Sequence, residues 1–147
     1  MRRSWRAQLP LPQVLDGDPG TWFTRLMGSP DDETAVEAVA REYFESWFAG
    51  DSERMDRALH PDLVKRGTLR ASDTELPSTT KQRMLELTAS GEGADDVGDG
   101  RLDVRVDDLH ENIANVTVRG GVYREYLQLI RTSDGWKIAN SLWEFDR

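Results

Sequence analysis

Glu125 stands in a run where leucine is the rule: Glu125, Leu127 and Leu129 alternate with Arg124, Tyr126, Gln128 and Ile130. A carboxylate on the apolar side of a strand is placed to take and return a proton beside a bound molecule. The turn Thr132-Ser133-Asp134-Gly135 joins this run to a second, Trp136 to Arg147, and Asp-Gly between two such runs predicts a hairpin. Pairing Arg131 with Trp136 sets Leu129 opposite Ile138, Leu127 opposite Asn140 and Glu125 opposite Leu142 on one face. On that register Glu125 and Asn140 are a base and a hydrogen-bond donor among leucines, as a small-molecule pocket needs. The other face carries Tyr126, Gln128, Ser141 and Trp143, a set that suits a dimer interface. With the faces exchanged, Tyr126 is the pocket acid and Glu125 a surface group; turn length fixes pairing without choosing the buried side.

Two residues further up the chain have matching chemistry. His60 is of the residue type best suited to proton transfer and sits where a helix hands over to a short strand, although a histidine before Pro61 also serves simply to bond the last helical carbonyls. Lys65 and Arg66 are adjacent on that strand, so at most one points inward. Lys65 is the preferred one, to neutralise a ligand oxygen or pair with Glu125; the alternative is a surface cation beside Asp62. The only other histidine, His110, falls in a polar turn. With no cysteine and two histidines far apart, neither a resident metal nor a cofactor is expected.

The elements that position these groups are readable from periodicity. Residues 1–30 form an arm, basic at Arg2, Arg3 and Arg6 and rich in proline and glycine, in which Trp22, Phe23, Leu26 and Met27 fall at helical spacing. The domain spans residues 31–147. Ser29-Pro30 followed by Asp31, Asp32 and Glu33 predicts a helix start, and Val36, Val39, Ala40, Tyr43, Phe44, Trp47 and Phe48 give it one apolar stripe up to Gly50. Asp51 caps a short second helix ended by His60-Pro61, residues 63–69 are a short strand, and Ser78 caps a third helix up to Gly91. Residues 91–100, glycine and aspartate without periodicity, are expected to form a mobile loop before strands of period two around Leu102 to Val106 and Ala114 to Val118. Helices first and then an antiparallel meander is the order of an α+β domain.

Composition narrows the partners. The formal net charge of -8 repels phosphate backbones and anionic membrane faces, so neither nucleic acid nor membrane is an expected partner. Prolines interrupt the early stretch Leu9-Pro10-Leu11-Pro12, and no signal-like or spanning run is expected. The lack of cysteine fits a reducing interior, and a cytoplasmic location is the expectation.

Four segments carry a resemblance: Tyr43-Phe44-Glu45-Ser46-Trp47-Phe48-Ala49-Gly50-Asp51, Leu59-His60-Pro61-Asp62-Leu63-Val64-Lys65-Arg66, Glu125 to Leu129, and Trp136 to Trp143. Across roughly residues 34–146 the chain resembles the lumazine-binding group of the NTF2-like superfamily. The resemblance implies a cone of curved antiparallel sheet packed on three helices, an interior pocket, and a homodimer through the sheet. It leaves the chemistry open, since relatives include isomerases, dehydratases, cyclases and pockets with no assigned reaction. Gln128 replaces a common histidine and Glu125 a common aspartate, which weighs against roles tied to that histidine. The candidate catalytic residues are thus His60, Glu125, Tyr126 and Asn140. Tyr43, Trp47, Lys65, Leu127 and Trp143 are the candidate contacts for a small apolar or aromatic ligand. One expectation is isomerase, cyclase or dehydratase chemistry by acid and base; the other is a noncatalytic ligand-binding or protein-interaction module.

Overall fold

The structure, a computed structural model, describes residues 30–146; the predicted arm and its Ser29 cap lie outside them. The first helix, α1, runs Pro30–Ala49 with Asp31, Asp32 and Glu33 in its first turn, where carboxylates complement the exposed N–H groups. It ends as its sequence predicts. Gly50 takes the left-handed φ of 69°, which lets Asp51 N–H bond the Ser46 carbonyl at 3.0 Å and Gly50 N–H bond that of Trp47 at 3.4 Å. Asp51 then caps α2, Ser52–Ala58, its side chain accepting from Arg54 N–H at 3.1 Å.

Strand β1 is Leu59–Gly67, longer than expected because it begins at the helix end and carries Pro61 within it. Strand β2 is only Ser78–Thr79, and α3 is Lys81–Ala89. Here the structure corrects the sequence reading. Thr80, not Ser78, caps the third helix by accepting from Arg83 N–H at 3.2 Å, because Ser78 pairs with Arg66. The 91–100 segment is also more ordered than its composition suggests: it holds a 3-10 turn at Ala94–Val97, and Val122 N–H bonds the Asp96 carbonyl at 3.1 Å. Strands β3 Leu102–His110, β4 Ile113–Gly120, β5 Tyr123–Thr132 and β6 Gly135–Phe145 follow as an antiparallel meander.

The sheet has the order β2-β1-β6-β5-β4-β3, with β1 joined to β6 in parallel and every other neighbour antiparallel. One face is buried by the α1 stripe. Val36, Ala40, Tyr43 and Phe44 meet Val116, Val118, Leu127, Leu129 and Ile138, and Met55, Leu59, Leu63 and Met84 complete the same core. Arg131 and Trp136, the pair nearest the β5–β6 turn, stack at 4.8 Å, and Arg131 reaches Asp32 of α1 at 2.6 Å. This is α+β architecture with all three helices tied to one sheet.

Candidate functional site

The hairpin register decides which side chains share the interior. Leu129 does stand opposite Ile138 and Arg131 opposite Trp136, but the register shifts beyond them: Gln128 pairs with Asn140, Leu127 with Ser141 and Glu125 with Trp143. Ala139 is the extra residue of a β-bulge, and an extra residue turns every following side chain to the other face. The expected pairings of Leu127 with Asn140 and of Glu125 with Leu142 are therefore each one residue off. Glu125 and Leu127 face inward, as in the first of the two orientations considered. Ser141 and Trp143 join them, while Asn140 and Leu142 turn outward.

Inside, a polar cluster forms at Glu125, which is only 1% exposed. Three donors converge on one carboxylate oxygen, Oε1: the Tyr43 hydroxyl at 2.8 Å, the Lys65 ammonium at 2.5 Å and the Ser141 hydroxyl. The Lys65 ammonium also donates to the Tyr43 oxygen. Four elements make the cluster possible. Tyr43 comes from the apolar stripe of α1, Lys65 from β1, Glu125 from β5 and Ser141 from β6, where β1 pairs Lys65 with Ser141. Burial first, and then the Glu125 carboxylate, hold the Tyr43 phenol well above its ordinary value of 10.0, so it stays protonated and donates.

Aromatic rings border this cluster on the side of Lys65. Its ammonium lies 5.0 Å from the Tyr43 ring centroid and 5.6 Å from that of Trp143, within cation–π range. Trp143 packs edge-on against Tyr123 at 5.4 Å and Phe145 at 5.3 Å. Burial, followed by the hydrogen bond to Asp96, raises the Tyr123 phenol as well. The Trp143 indole rests directly on Gly67, where a Cβ would fall 2.3 Å from its Cε2. Gly67→Ala is expected to push the indole off Lys65 and lower stability by about 1–3 kcal/mol, the usual cost of overpacking; the midpoint of urea unfolding, read beside the near-ultraviolet circular dichroism of the ring, measures both.

The remaining candidates lie elsewhere. His60 is half-buried on β1, where its Nδ1 accepts the Asp62 N–H at 3.0 Å, and it shares no hydrogen bond with Glu125. Tyr126 is 51% exposed on the outer face. Asn140 donates to Gln128 at 3.1 Å, and Gln128 to Asn115 at 3.2 Å, an amide ladder across β6, β5 and β4. The ladder floors a shallow outer pocket of about 220 Å³ with Ile113, Ile130 and His110 at its sides. Trp47 packs against Gly93, where a Cβ would lie 2.6 Å from its Cδ1, and so closes the 91–100 segment onto α1. Two members of the cluster escaped the sequence reading in their roles. Tyr43 is expected from its place in the apolar stripe as a ligand contact and not as a donor to Glu125, and Ser141 is expected on the outer face for want of the bulge.

A family model described as Putative lumazine-binding matches residues 31–144. No curated protein matches the chain. Among solved structures it is similar to an NTF2-like protein with a cystatin-like fold from Novosphingobium aromaticivorans, at 14% identity and a TM-score of 0.61 over 87% of this chain and 90% of that one. It is similar too to an NTF2-like protein of unknown function from Methylobacillus flagellatus, at 18% identity and 0.60 over 83% and 98%. A ketosteroid isomerase-like protein from Erwinia carotovora atroseptica matches at 18% identity and 0.56 over 80% and 98%. At such identities the likeness is one of fold.

Proposed function

Because the chain belongs to the Putative lumazine-binding family and has the NTF2-like fold, we propose that it binds a small, largely apolar carbonyl compound inside the cone and moves a proton on it. What carries this reading is the convergence of a neutral phenol and an ammonium on one buried carboxylate oxygen, at the edge of a core otherwise built of leucine, valine and aromatic side chains. Such a set has the parts for acid and base work. Glu125 takes the proton next to the carbonyl, and Tyr43 and Lys65 hold the oxygen that gains charge. Isomerisation, cyclisation and dehydration all use this sequence. His60, Tyr126 and Asn140 have no place in it, since none of them touches the cluster.

The protein acts as a homodimer in this reading, paired through the outer face of the sheet. Val64, Ile113, Tyr126 and Leu142 are exposed large apolar side chains on that face, and the amide ladder adds groups able to hydrogen-bond across it. Native mass spectrometry of freshly purified protein tests both parts. A dimer carrying a small organic molecule is expected, and Lys65→Met is expected to lose the molecule while keeping the dimer. A wild-type monomer with nothing bound would remove the proposal.

A second reading, a noncatalytic module, has its own support. Tyr123, Trp143 and Phe145 pack on one another beside Lys65, and the polar cluster is satisfied internally. Retained ligand that exchanges no proton with deuterated solvent would favour this module over the enzyme.

A further inference from the structure

We infer that Lys65 is a carbonyl-condensing amine, forming an imine with an apolar aldehyde or ketone held against Tyr43 and Trp143; this rests on the proposed carbonyl-binding role of the same site. The chain has three lysines, Lys65, Lys81 and Lys137, and they differ in what surrounds them. Lys81 pairs with Asp56 at 3.0 Å and donates to the Leu59 carbonyl at 3.1 Å, and Lys137 donates to the Arg57 carbonyl at 2.5 Å. Backbone carbonyls neither take up nor supply a proton. The carboxylate beside Lys81 can take a proton but is 57% exposed, whereas Lys65 has its nitrogen against both a buried proton acceptor, Glu125 at 2.5 Å, and a neutral proton donor, the Tyr43 hydroxyl. Its side chain is 13% exposed, which puts the amine at the boundary of the interior instead of sealing it off. The rings of Tyr43 and Trp143, 5.0 and 5.6 Å away, offer the apolar body of a carbonyl compound its contact.

The condensation balances with these groups alone. Glu125 takes a proton from the Lys65 ammonium, leaving a free amine. The amine nitrogen bonds to the carbonyl carbon, and the carbonyl π pair moves to oxygen, which receives the Tyr43 proton. The nitrogen, now positive, returns a proton to Tyr43, and a neutral carbinolamine stands in the site. Glu125 then gives its proton to the carbinolamine hydroxyl, which leaves as water while the nitrogen lone pair forms the carbon–nitrogen double bond. The product is a protonated imine paired with the Glu125 carboxylate, in place of the original ammonium. A cationic imine draws electrons from the neighbouring carbon, so the same Glu125 is positioned for the proton transfer proposed above.

The test is reductive trapping. The full-length protein is incubated with benzaldehyde and sodium cyanoborohydride, and benzyl adducts are counted at each lysine by peptide mass spectrometry. Lys65 is expected to be labelled faster than Lys81 and Lys137, and Tyr43→Phe to slow Lys65 on the order of 100-fold, the size of a general-acid contribution, while the other two lysines keep their rates. Glu125→Gln, which preserves volume, gives a second readout if Tyr43→Phe fails to fold, and it too is expected to abolish the preference for Lys65. Labelling of Lys65 no faster than of the other lysines, or unaffected by either variant, overturns the inference. Retained ligand in native mass spectrometry together with unselective trapping likewise overturns the imine, and in that case the binding role survives without it.

Discussion

Lys65→Met is expected to destabilise the protein by about 3–5 kcal/mol, the typical cost of removing one partner from a buried ion pair. Lys65 and Glu125 are 13% and 2% exposed at their side chains, so water screens little of the loss. Tyr43 and Ser141 would still donate to Oε1, but neither cancels the charge. Removing both charges is a different matter. In the double variant Lys65→Met with Glu125→Gln, the amide oxygen keeps the Tyr43 and Ser141 hydrogen bonds and no buried charge remains, so more than half of the lost stability is expected to return. The two single variants and the double form a cycle in urea unfolding, with an interaction energy of about 2 kcal/mol or more expected. Since whole domains of this kind hold about 5–15 kcal/mol, the single variant should be visibly unstable. A Lys65→Met protein within about 1 kcal/mol of wild type would mean the pair is not buried in solution.

This cluster also shows how far one sequence can be read. Strands of period two from Leu102 onward, the α1 stripe, the Gly50 stop and the Asp51 cap are local patterns, and the structure has all of them. Alternation allowed only one of Lys65 and Arg66 to point inward without choosing between them, and of the options open to Lys65 the structure has the pair with Glu125. The face of Asn140 was not readable. Along β6 the buried positions are Trp136 and Ile138, then Ser141, so the inward parity switches from even to odd at Ala139. A small residue such as alanine fits either face and signals nothing, while Leu142, apolar yet 48% exposed, argues for the unshifted register. The bulge has a counterpart outside the hairpin. Strand β1 slips against β6 at the same place, between Leu59 opposite Ile138 and Val64 opposite Asn140, so the register of β6 involves a partner more than seventy residues away in sequence. Non-local pairing also bears on Ser78, which reads as a helix cap until its pairing with Arg66 is known.

Stability should fall at high pH because of one phenol. In the folded protein Tyr43 is held well above its ordinary value, by burial first and by Glu125 second, whereas in the unfolded chain it titrates near 10.0. The unfolded state therefore releases this proton first as pH rises. The contribution of the neutral phenol is complete below about pH 10 and is lost progressively above it, at about 1.4 kcal/mol per pH unit until the folded state also ionises. Tyr123 shifts in the same direction and adds its own slope above about pH 10, over a narrower range because it is only half-buried and water screens part of its shift. Urea unfolding between about pH 9 and pH 11.5 measures the slope, and Tyr43→Phe separates the two tyrosines. That variant is expected to start about 1–3 kcal/mol less stable at neutral pH, because Glu125 loses a donor, and then to decline less steeply. Equal slopes in the two proteins would show that Tyr43 ionises in the folded state as it does in water. The point bears on chemistry as well as stability. A phenol that keeps its proton throughout the neutral range is a donor and never the resting base, so in the proposed chemistry the first proton is taken up by Glu125 and the first one delivered comes from Tyr43.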